Sequence, residues 1–202
     1  LFPSLRNVGD EVADDSWNIE GYEADDIIGS LAETYSQEHE VYIITGDRDL
    51  LQCINHNVEV WLIKKGFTIY QRYTLDRFID EYGLNPQQLI DVKAFMGDTA
   101  DGYSGVKGIG EKTAIKLIQN HGTVENVVNN LSSLTPAQQK KITNNLNHLH
   151  LSKSLAEIYT KVPIETDKLF KEMTYAHTLN EILSICNEHE LYVSSKYIAT
   201  HL

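Results

Sequence analysis

The sequence predicts an α/β core followed by an all-helical part, and two observations lead to this fold class. In the first half of the 202-residue chain, short apolar runs rich in β-branched residues alternate with segments of helical periodicity. This alternation is typical of a mostly parallel sheet covered by helices. After Gly97 the strand-like runs stop, and the later apolar segments have helical spacing. We therefore expect an α/β core in residues 1–96 and a helical subdomain in residues 97–202.

The elements of the first part follow in order from Ala24, where apolar residues begin to recur at helical spacing. The run EVYIITGD stops at Gly46, and its continuous β-branched content predicts a strand that is buried on both faces. A helical turn is predicted in DLLQCI. The segments VEVWLI and KKGFTIYQRY then predict two strands that pair as a hairpin around Lys65 and Gly66.

The remaining elements are helices with recognisable ends. Thr74 is the predicted N-cap of LDRFIDEY, which ends at Gly83, and Asn85-Pro86 opens the helix before Gly97. Four helical segments follow, and the Asn-rich NNLSS and NNLNH are predicted to be helix ends and caps. These segments are EKTAIKLIQNH, TVENVVNNL, TPAQQKKITNNLNHLHLSKSLAEIYT and TLNEILSICNEH.

Composition narrows the class of protein. A formal net charge of −12 argues against a protein that coats nucleic acid nonspecifically, because such binding needs clustered lysines and arginines. No apolar run approaches the roughly 20 residues of a membrane span, and no segment resembles a signal peptide. Cys53 and Cys186 lack metal-ligand spacing, so we expect two reduced cysteines in a soluble intracellular protein.

Three groups of acidic residues stand at the ends of predicted elements. The first lies in the opening turn of a helix, the second follows a buried strand, and the third follows a helix. In that order, the groups are Glu23, Asp25 and Asp26; Asp47 and Asp49; and Asp98 and Asp101. Each group alone has a structural explanation, because acids favour the first turn of a helix and Asp-Gly pairs favour turns.

Together, the three groups suit a pair of divalent cations. Mg²⁺ and similar hard cations take oxygen ligands from scattered carboxylates. Two such ions about 4 Å apart can clamp the attacking and leaving oxygens of a phosphodiester. The carboxyl edge of a strand, where Asp47 and Asp49 lie, is also where ligands bind in parallel α/β sheets. We therefore expect all seven acids to converge on one site.

The third acidic group runs into a segment rich in glycine and lysine, SGVKGIGEKTAIKL. Gly105, Gly108 and Gly110 precede a helix that begins near Glu111, and glycines there let backbone N–H groups approach a phosphate. Three lysines add positive charge: Lys107, Lys112 and Lys116. A tight turn between two helices with solvated lysines would give the same pattern, so both interpretations stay open here.

Four segments resemble, in order and spacing, the 5′→3′ exonuclease domain of bacterial DNA polymerase I and its flap endonuclease relatives. They span about Gly21 to Glu165 and read GYEADDIIGSLA, TGDRDLLQ, GDTADGYSGVKGIGEKTA and, more weakly, LSKSLAEIYTKVPIE. The resemblance implies a PIN-like α/β nuclease core with a mostly parallel sheet, followed by a helix-hairpin-helix subdomain that binds duplex DNA. It also implies two Mg²⁺ or Mn²⁺ ions, and a K⁺ ion held by carbonyls of the hairpin.

The resemblance also implies roles for individual residues. The expected metal ligands are Glu23, Asp25, Asp26, Asp47, Asp49, Asp98 and Asp101. Four of these are expected to be catalytic: Asp25, Asp47, Asp49 and Asp98. The expected DNA contacts are Val106, Lys107, Gly108, Ile109, Gly110, Lys112, Thr113 and Lys116.

The chain departs from the family in two places. Where relatives usually read Ser-Asp-Asn-x-Pro-Gly, residues 100–105 read ADGYSG, which lacks the proline and the asparagine. Residues 1–20 also offer no match to the family's amino-terminal third, which carries a first strand with its metal-binding aspartate, a second aspartate and a helical arch. For residues 1–202 alone, we therefore expect DNA binding with little or no cleavage.

The expected function is that of a structure-specific 5′ nuclease in bacterial DNA replication and repair. Its substrates would be 5′ flaps, nicks and duplex ends in the cytoplasm, and a DNA polymerase would act with it in trans or follow it as a further domain. One alternative is a noncatalytic module that binds branched duplex DNA. An RNA-cleaving PIN-type nuclease is a second alternative, which the hairpin segment disfavours.

Overall fold

A computed structural model describes residues 19–65, 69–166, 178–188 and 196. The chain divides into two compact units. One unit is Glu23–Val162, and the other consists of Leu1–Tyr22 together with Pro163–Leu202. Residues 1–18, at the start of the expected first domain, lie outside the described residues, and so does Gly66. The expected boundary between residues 96 and 97 stays a prediction.

The larger unit contains a three-stranded sheet in the order β1-β2-β3. Its strands are β1 (Val41–Thr45), β2 (Val58–Lys65) and β3 (Ile69–Tyr73). The β1–β2 pair is parallel and the β2–β3 pair is antiparallel. The α/β class is thus confirmed, and the antiparallel pairing of β2 with β3 agrees with the predicted hairpin.

The prediction that β1 is buried on both faces is wrong for the described residues. Ile43 is buried, whereas Tyr42 is 49% exposed and Ile44 is 56% exposed. The exposed face of the sheet carries aromatic side chains: Trp61 of β2 makes an edge contact with Tyr42 and a tilted contact with Tyr70 of β3. Side chains of a strand alternate between faces, and only the inner set packs into the core.

The rest of the described chain consists mainly of helices and 3₁₀ turns. The bounds are α1 (Ala24–Tyr35), a 3₁₀ turn (Asp49–Cys53), α2 (Leu75–Tyr82), α3 (Gln88–Met96), α4 (Glu111–His121), α5 (Val124–Asn129), a 3₁₀ turn (Leu131–Ser133), α6 (Pro136–Thr143) and α7 (Leu146–Ala156). The Thr74 hydroxyl accepts from the Arg77 N–H, and Gly83 ends α2 in the left-handed region. These are the predicted caps. The helix α3 begins two residues after Pro86, because residues Asn85 to Gln88 first form a turn.

The helix α3 links the sheet to the helical part. Its Val92, Ala94 and Phe95 are almost fully buried, and α3 packs against α4, α7 and the 3₁₀ turn after β1. The segment predicted as one long helix is divided between α6 and α7. The division falls at the Asn-rich NNLNH, where Asn144 is the C-cap of α6 and Asn145 is the N-cap of α7.

The described part of the smaller unit is short. Residues Ile19 to Tyr22 form a turn, in which the Tyr22 N–H donates to the Ile19 carbonyl. Helix α8 (Leu179–Glu188) begins after Thr178, whose hydroxyl accepts from the Glu181 N–H, and it buries Ile182 and Cys186. This helix was predicted. None of the helices in the described part of the chain has the length and apolar character of a membrane span.

Candidate metal centre and nucleic-acid interface

Two glycines close the loop that carries Asp98 and Asp101. Gly97 and Gly105 both have positive φ, and their backbones lie against each other. A Cβ atom on Gly97 would lie 2.5 Å from the Ser104 carbonyl carbon, so no larger residue fits. Between these two glycines in the chain, the backbones of Asp98 and Tyr103 form two hydrogen bonds with each other, each 2.9 Å long. The loop is therefore closed without the proline that the family pattern has.

The second acidic group is fixed by the end of β1. The Thr45 hydroxyl accepts from the Asp47 N–H at 3.0 Å, and Asp47 Oδ1 accepts from the Asp49 N–H at 2.8 Å. The 3₁₀ turn that starts at Asp49 buries Leu50 and Leu51, which anchors the turn in the core. Both carboxylates therefore stand at the carboxyl edge of the sheet, as predicted.

The first acidic group opens α1 and is partly engaged in capping it. Glu23 and Asp26 form a capping box, in which Asp26 Oδ2 accepts from the Glu23 N–H at 3.2 Å. Asp26 Oδ1 also accepts from the Tyr159 N–H at 2.9 Å. Capping of helix α1 therefore explains the positions of Glu23 and Asp26. Asp25 lies between them and has no part in the capping box.

The three groups converge as predicted. Six of the seven acids, all except Asp98, line one cleft of about 220 Å³. Asp98 is joined to the same cluster, because carboxylate oxygens of Asp49, Asp98 and Asp101 all lie within 4.8 Å of one another. Three separate elements therefore deliver oxygen ligands to one place, which is the arrangement that a hard divalent cation requires.

The electrostatics of the cleft favour a bound cation. Burial, and then the neighbouring carboxylates of Asp47, Asp49, Glu23 and Asp26, raise the pKa of Asp25 to about 6. Burial also raises the pKa of Asp49, despite its hydrogen bond with an ammonium group. Burial is the first cause of both shifts, and neighbouring carboxylates add to it. A divalent cation would stabilise the ionised carboxylates.

Lys93 is a site residue that the sequence reasoning missed. Its side chain on α3 is 8% exposed, and its ammonium donates to Asp49, to Asp98 at 2.8 Å, and lies 3.9 Å from Asp101. Burial alone would lower the pKa of Lys93, but the hydrogen bonds with Asp49 and Asp98 raise it. The only sequence signal is a lysine inside the apolar run DVKAFMG, where a charge needs a partner.

Tyr103 and Glu157 also line the acidic cleft and were not predicted. Tyr103 is 6% exposed, and its hydroxyl is buried without a hydrogen-bond partner among the described residues. Burial raises the pKa of Tyr103 to about 12, so the hydroxyl keeps its proton at neutral pH. Tyr103 therefore carries a buried hydrogen-bond donor on a residue that lines the acidic cleft.

A larger cavity of about 400 Å³ adjoins the cleft and shares Asp47 and Asp49 with it. Leu89, Met96 and Ile115 give it an apolar wall. On its rim, the Arg48 guanidinium donates to the Tyr82 hydroxyl. This cavity was not predicted, because in the sequence its apolar residues indicate only the buried faces of helices.

The glycine-rich segment forms a tight hairpin before α4. The Val106 N–H donates to the Phe95 carbonyl at 2.8 Å, and the Ile109 N–H donates to the Val106 carbonyl at 3.0 Å. Gly108 has φ +82°, and Gly110 is the N-cap of α4. Five of the eight predicted DNA contacts are exposed: Lys107, Gly108, Gly110, Lys112 and Lys116. Thr113 is half-buried, and the side chains of Val106 and Ile109 are buried, so only their backbone can contact DNA.

A lysine from another helix reaches the hairpin. Lys141 of α6 donates to the Gly108 carbonyl at 2.7 Å. The neighbouring Ile142 is fully buried, which fixes α6 beside the hairpin. This contact joins positions 33 residues apart, and no local spacing rule could have found it.

Comparisons with known proteins agree with this architecture. The family model described as 5′-3′ exonuclease, N-terminal resolvase-like domain, matches residues 2–83. The model described as 5′-3′ exonuclease, C-terminal SAM fold, matches residues 84–179. The similarity thus extends beyond both ends of the stretch from Gly21 to Glu165 that carries the quoted motifs.

Curated relatives come from bacteria. A 5′-3′ exonuclease of Bacillus subtilis (strain 168) is 43% identical over 171 residues, which cover 85% of this chain and 57% of the relative. DNA polymerase I of Bacillus caldotenax is 38% identical over 206 residues, which cover 94% of this chain and 24% of the relative. The chain therefore spans little more than half the length of the first relative and about a quarter of the second.

Solved structures share the fold. The T5 D15 protein, co-crystallised with metal ions, superposes with a TM-score of 0.63 at 22% identity, over 84% of this chain and 62% of that one. The catalytic core of Rad2 in complex with DNA substrate superposes with a TM-score of 0.57 at 16% identity, over 96% of this chain and 67% of that one. At these identities the likeness supports the fold alone.

Proposed function

Since the chain belongs to the 5′-3′ exonuclease family, we propose that it is part of a structure-specific 5′ nuclease that hydrolyses phosphodiesters of DNA. The observation that carries this proposal is the convergence of seven carboxylates from three elements beside a lysine-bearing hairpin. Flaps, nicks and duplex ends are the proposed substrates, in replication and repair. The relatives named exonuclease and DNA polymerase I support that assignment.

The acids fit a pair of Mg²⁺ or Mn²⁺ ions. Asp47, Asp49, Asp98 and Asp101 would hold one ion, and Glu23, Asp25 and Asp26 would lie toward the other. Such ions supply an activated water and stabilise the leaving oxygen of a phosphodiester. The chain's own part is to hold the carboxylates in place: Thr45 fixes Asp47, and the paired backbone of Asp98 and Tyr103 fixes the acidic loop.

The hairpin and the start of α4 are the proposed duplex contact. Backbone N–H groups at Gly108 and Gly110 would face a phosphate, and Lys107, Lys112 and Lys116 would add charge without reading sequence. The K⁺ ion implied by the family does not suit the Gly108 carbonyl, because that carbonyl already accepts from the Lys141 ammonium. A K⁺ ion would need other carbonyls of the hairpin.

The proposed setting is the bacterial cytoplasm, near the nucleoid. The relatives are bacterial, and several are DNA polymerase I proteins of which this chain matches about a fifth to a quarter. A polymerase would thus act with this chain either as a further domain or in trans.

Cleavage of a 5′-labelled flap duplex in Mg²⁺ tests the proposal, with duplex binding followed in Ca²⁺. We expect binding, and we expect any cutting near the junction to disappear in Asp47→Ala while binding is kept. Asp80→Ala is the matched control, because Asp80 is an exposed aspartate on α2 outside the cleft. Binding without cutting by the unaltered chain would support a duplex-binding module instead. Loss of binding together with cutting in Asp47→Ala would contradict the assigned role of the carboxylate.

A further inference from the structure

The Tyr103 hydroxyl differs from the hydroxyls of the other buried tyrosines that the structure describes. Tyr73 donates to Glu81 at 3.0 Å and accepts from Gln71 at 2.7 Å. Tyr82 accepts from Arg48. Tyr103 is buried to a similar degree, yet its hydroxyl has no hydrogen-bond partner among the described residues. Buried hydroxyls in native proteins are almost always bonded, so this one calls for a partner.

The position of Tyr103 is fixed by its backbone. Its N–H and carbonyl both pair with Asp98, and the close contact of Gly97 with Gly105 closes the loop on either side. The ring is buried and lines the acidic cleft together with Asp25, Asp47, Asp49 and Asp101. The side chain thus has little freedom to turn its hydroxyl toward bulk water.

The chemistry of the missing partner follows from the surroundings. A phenol donates one hydrogen and accepts others, and the cleft around it is crowded with carboxylates, with the Lys93 ammonium as the neighbouring cation. A divalent cation in this cleft would bring oxygen ligands with it, since such ions retain several waters and bind phosphate oxygens. An oxygen of that kind would satisfy the hydroxyl.

We propose that Tyr103 is a positioning residue whose hydroxyl donates to an oxygen ligand of the cation held by Asp49, Asp98 and Asp101. The oxygen belongs to a water molecule before DNA binds and to the DNA phosphate afterwards. This inference rests on the proposed function of the same site. Tyr103 stands at the variable position of the pattern Ser-Asp-Asn-x-Pro-Gly, so it is not one of the residues that define the motif.

The test compares Tyr103→Phe with Tyr73→Phe, each of which removes one hydroxyl and no other atom. Mn²⁺ affinity is measured by titration, and stability by thermal unfolding in EDTA. In EDTA, we expect Tyr103→Phe to be as stable as the unaltered chain or more stable, because it loses no bond. We expect Tyr73→Phe to be less stable, because it loses two. Loss of one hydrogen bond should weaken Mn²⁺ binding about three- to tenfold in Tyr103→Phe, and Tyr73→Phe should bind as the unaltered chain does.

A further measurement, at saturating Mn²⁺, identifies the source of the oxygen. A lowered kcat for flap cleavage, or weaker duplex binding where cleavage is absent, supports the phosphate contact. Recovery of both at saturating Mn²⁺ supports contact with water alone and overturns the second half of the proposal. Unchanged Mn²⁺ affinity in Tyr103→Phe, or a loss of stability in EDTA like that of Tyr73→Phe, overturns the whole proposal about Tyr103. If the unaltered chain binds no Mn²⁺, the proposed function fails as well, which distinguishes the two failures.

Discussion

Lys93 and Lys153 both contact groups of carboxylates around α3, but the two groups differ in charge balance. The Lys153 ammonium lies 2.8 Å from both Asp91 and Glu125, and Asp91 also accepts from the Val124 N–H. The Lys93 ammonium faces three carboxylates, those of Asp49, Asp98 and Asp101. Four further acids line the same cleft: Glu23, Asp25, Asp26 and Asp47.

This difference separates a structural cluster from a binding cluster. The Lys153 cluster joins α3, α5 and α7, and its most buried acid has both an ion pair and a backbone donor. In the Lys93 cluster, there is one ammonium group for seven carboxylates, so among the described residues most of the negative charge is not paired with a lysine or arginine. Burial also raises the pKa of Asp49 in this cluster. Like charges held together cost stability unless a further cation joins them, so only the Lys93 cluster calls for a metal ion.

Replacement of Lys153 by Met should have the largest effect on stability. The change leaves Asp91 buried beside the Val124 N–H alone, and we expect the free energy of unfolding to fall by about 2 kcal/mol. This is below the roughly 3–5 kcal/mol of a fully buried pair because Glu125, the second acid of the cluster, is 53% exposed and keeps its water. Urea unfolding measures the change, and Lys161→Met, at an exposed position, is the control. An equal loss in the control would contradict the structural role.

Lys93→Met should cost less, and the cost should depend on divalent ions. In EDTA, we expect a loss of about 1 kcal/mol. Asp49 and Asp98 are 17% and 22% exposed and can take up water from the cleft, whereas Asp91 is only 9% exposed. In Mn²⁺, we expect the loss to disappear, since the ion replaces the ammonium charge. Thermal unfolding with and without Mn²⁺ measures this, and the deficit of Lys153→Met should be the same in both conditions. If the stability loss of Lys93→Met were the same with and without Mn²⁺, both lysines would have a purely structural role.

The smallest expected effect is a pH dependence from Asp25, because its carboxylate is partly exposed and solvent screens the charges around it. Burial and the neighbouring carboxylates raise its pKa in the folded chain from the ordinary 3.8 to about 6. Between about pH 4 and 6 the unfolded chain releases a proton that the folded chain retains, so the contribution of Asp25 to stability falls as the pH rises. In EDTA, Asp25→Asn should therefore gain stability relative to the unaltered chain across this window. Parallel profiles from pH 4 to 6 would count against the raised pKa of Asp25, and so against its burial beside other carboxylates.

The positions of the acids were predictable because they depend on where strands and helices end. Asp47 and Asp49 follow β1, and Asp98 follows α3, so element boundaries alone place them at one edge. Lys93 and Tyr103 were missed because their roles depend on contacts across the fold, and a lysine or tyrosine near an apolar run has no local signature. The exposed face of β1 was missed for the same reason, since a continuous apolar run does not say what covers it.

The central claim is that the acidic cleft binds divalent cations, and titration with Mn²⁺ tests it most directly. The number of bound ions can be counted by electron paramagnetic resonance of the free metal. We predict two ions for the unaltered chain, one of them lost when Asp49 and Asp98 are both replaced by Asn, and no change for Asp80→Ala. Absence of bound Mn²⁺ at millimolar concentration, or binding that is unaffected by the Asp49 and Asp98 replacements, would contradict the account.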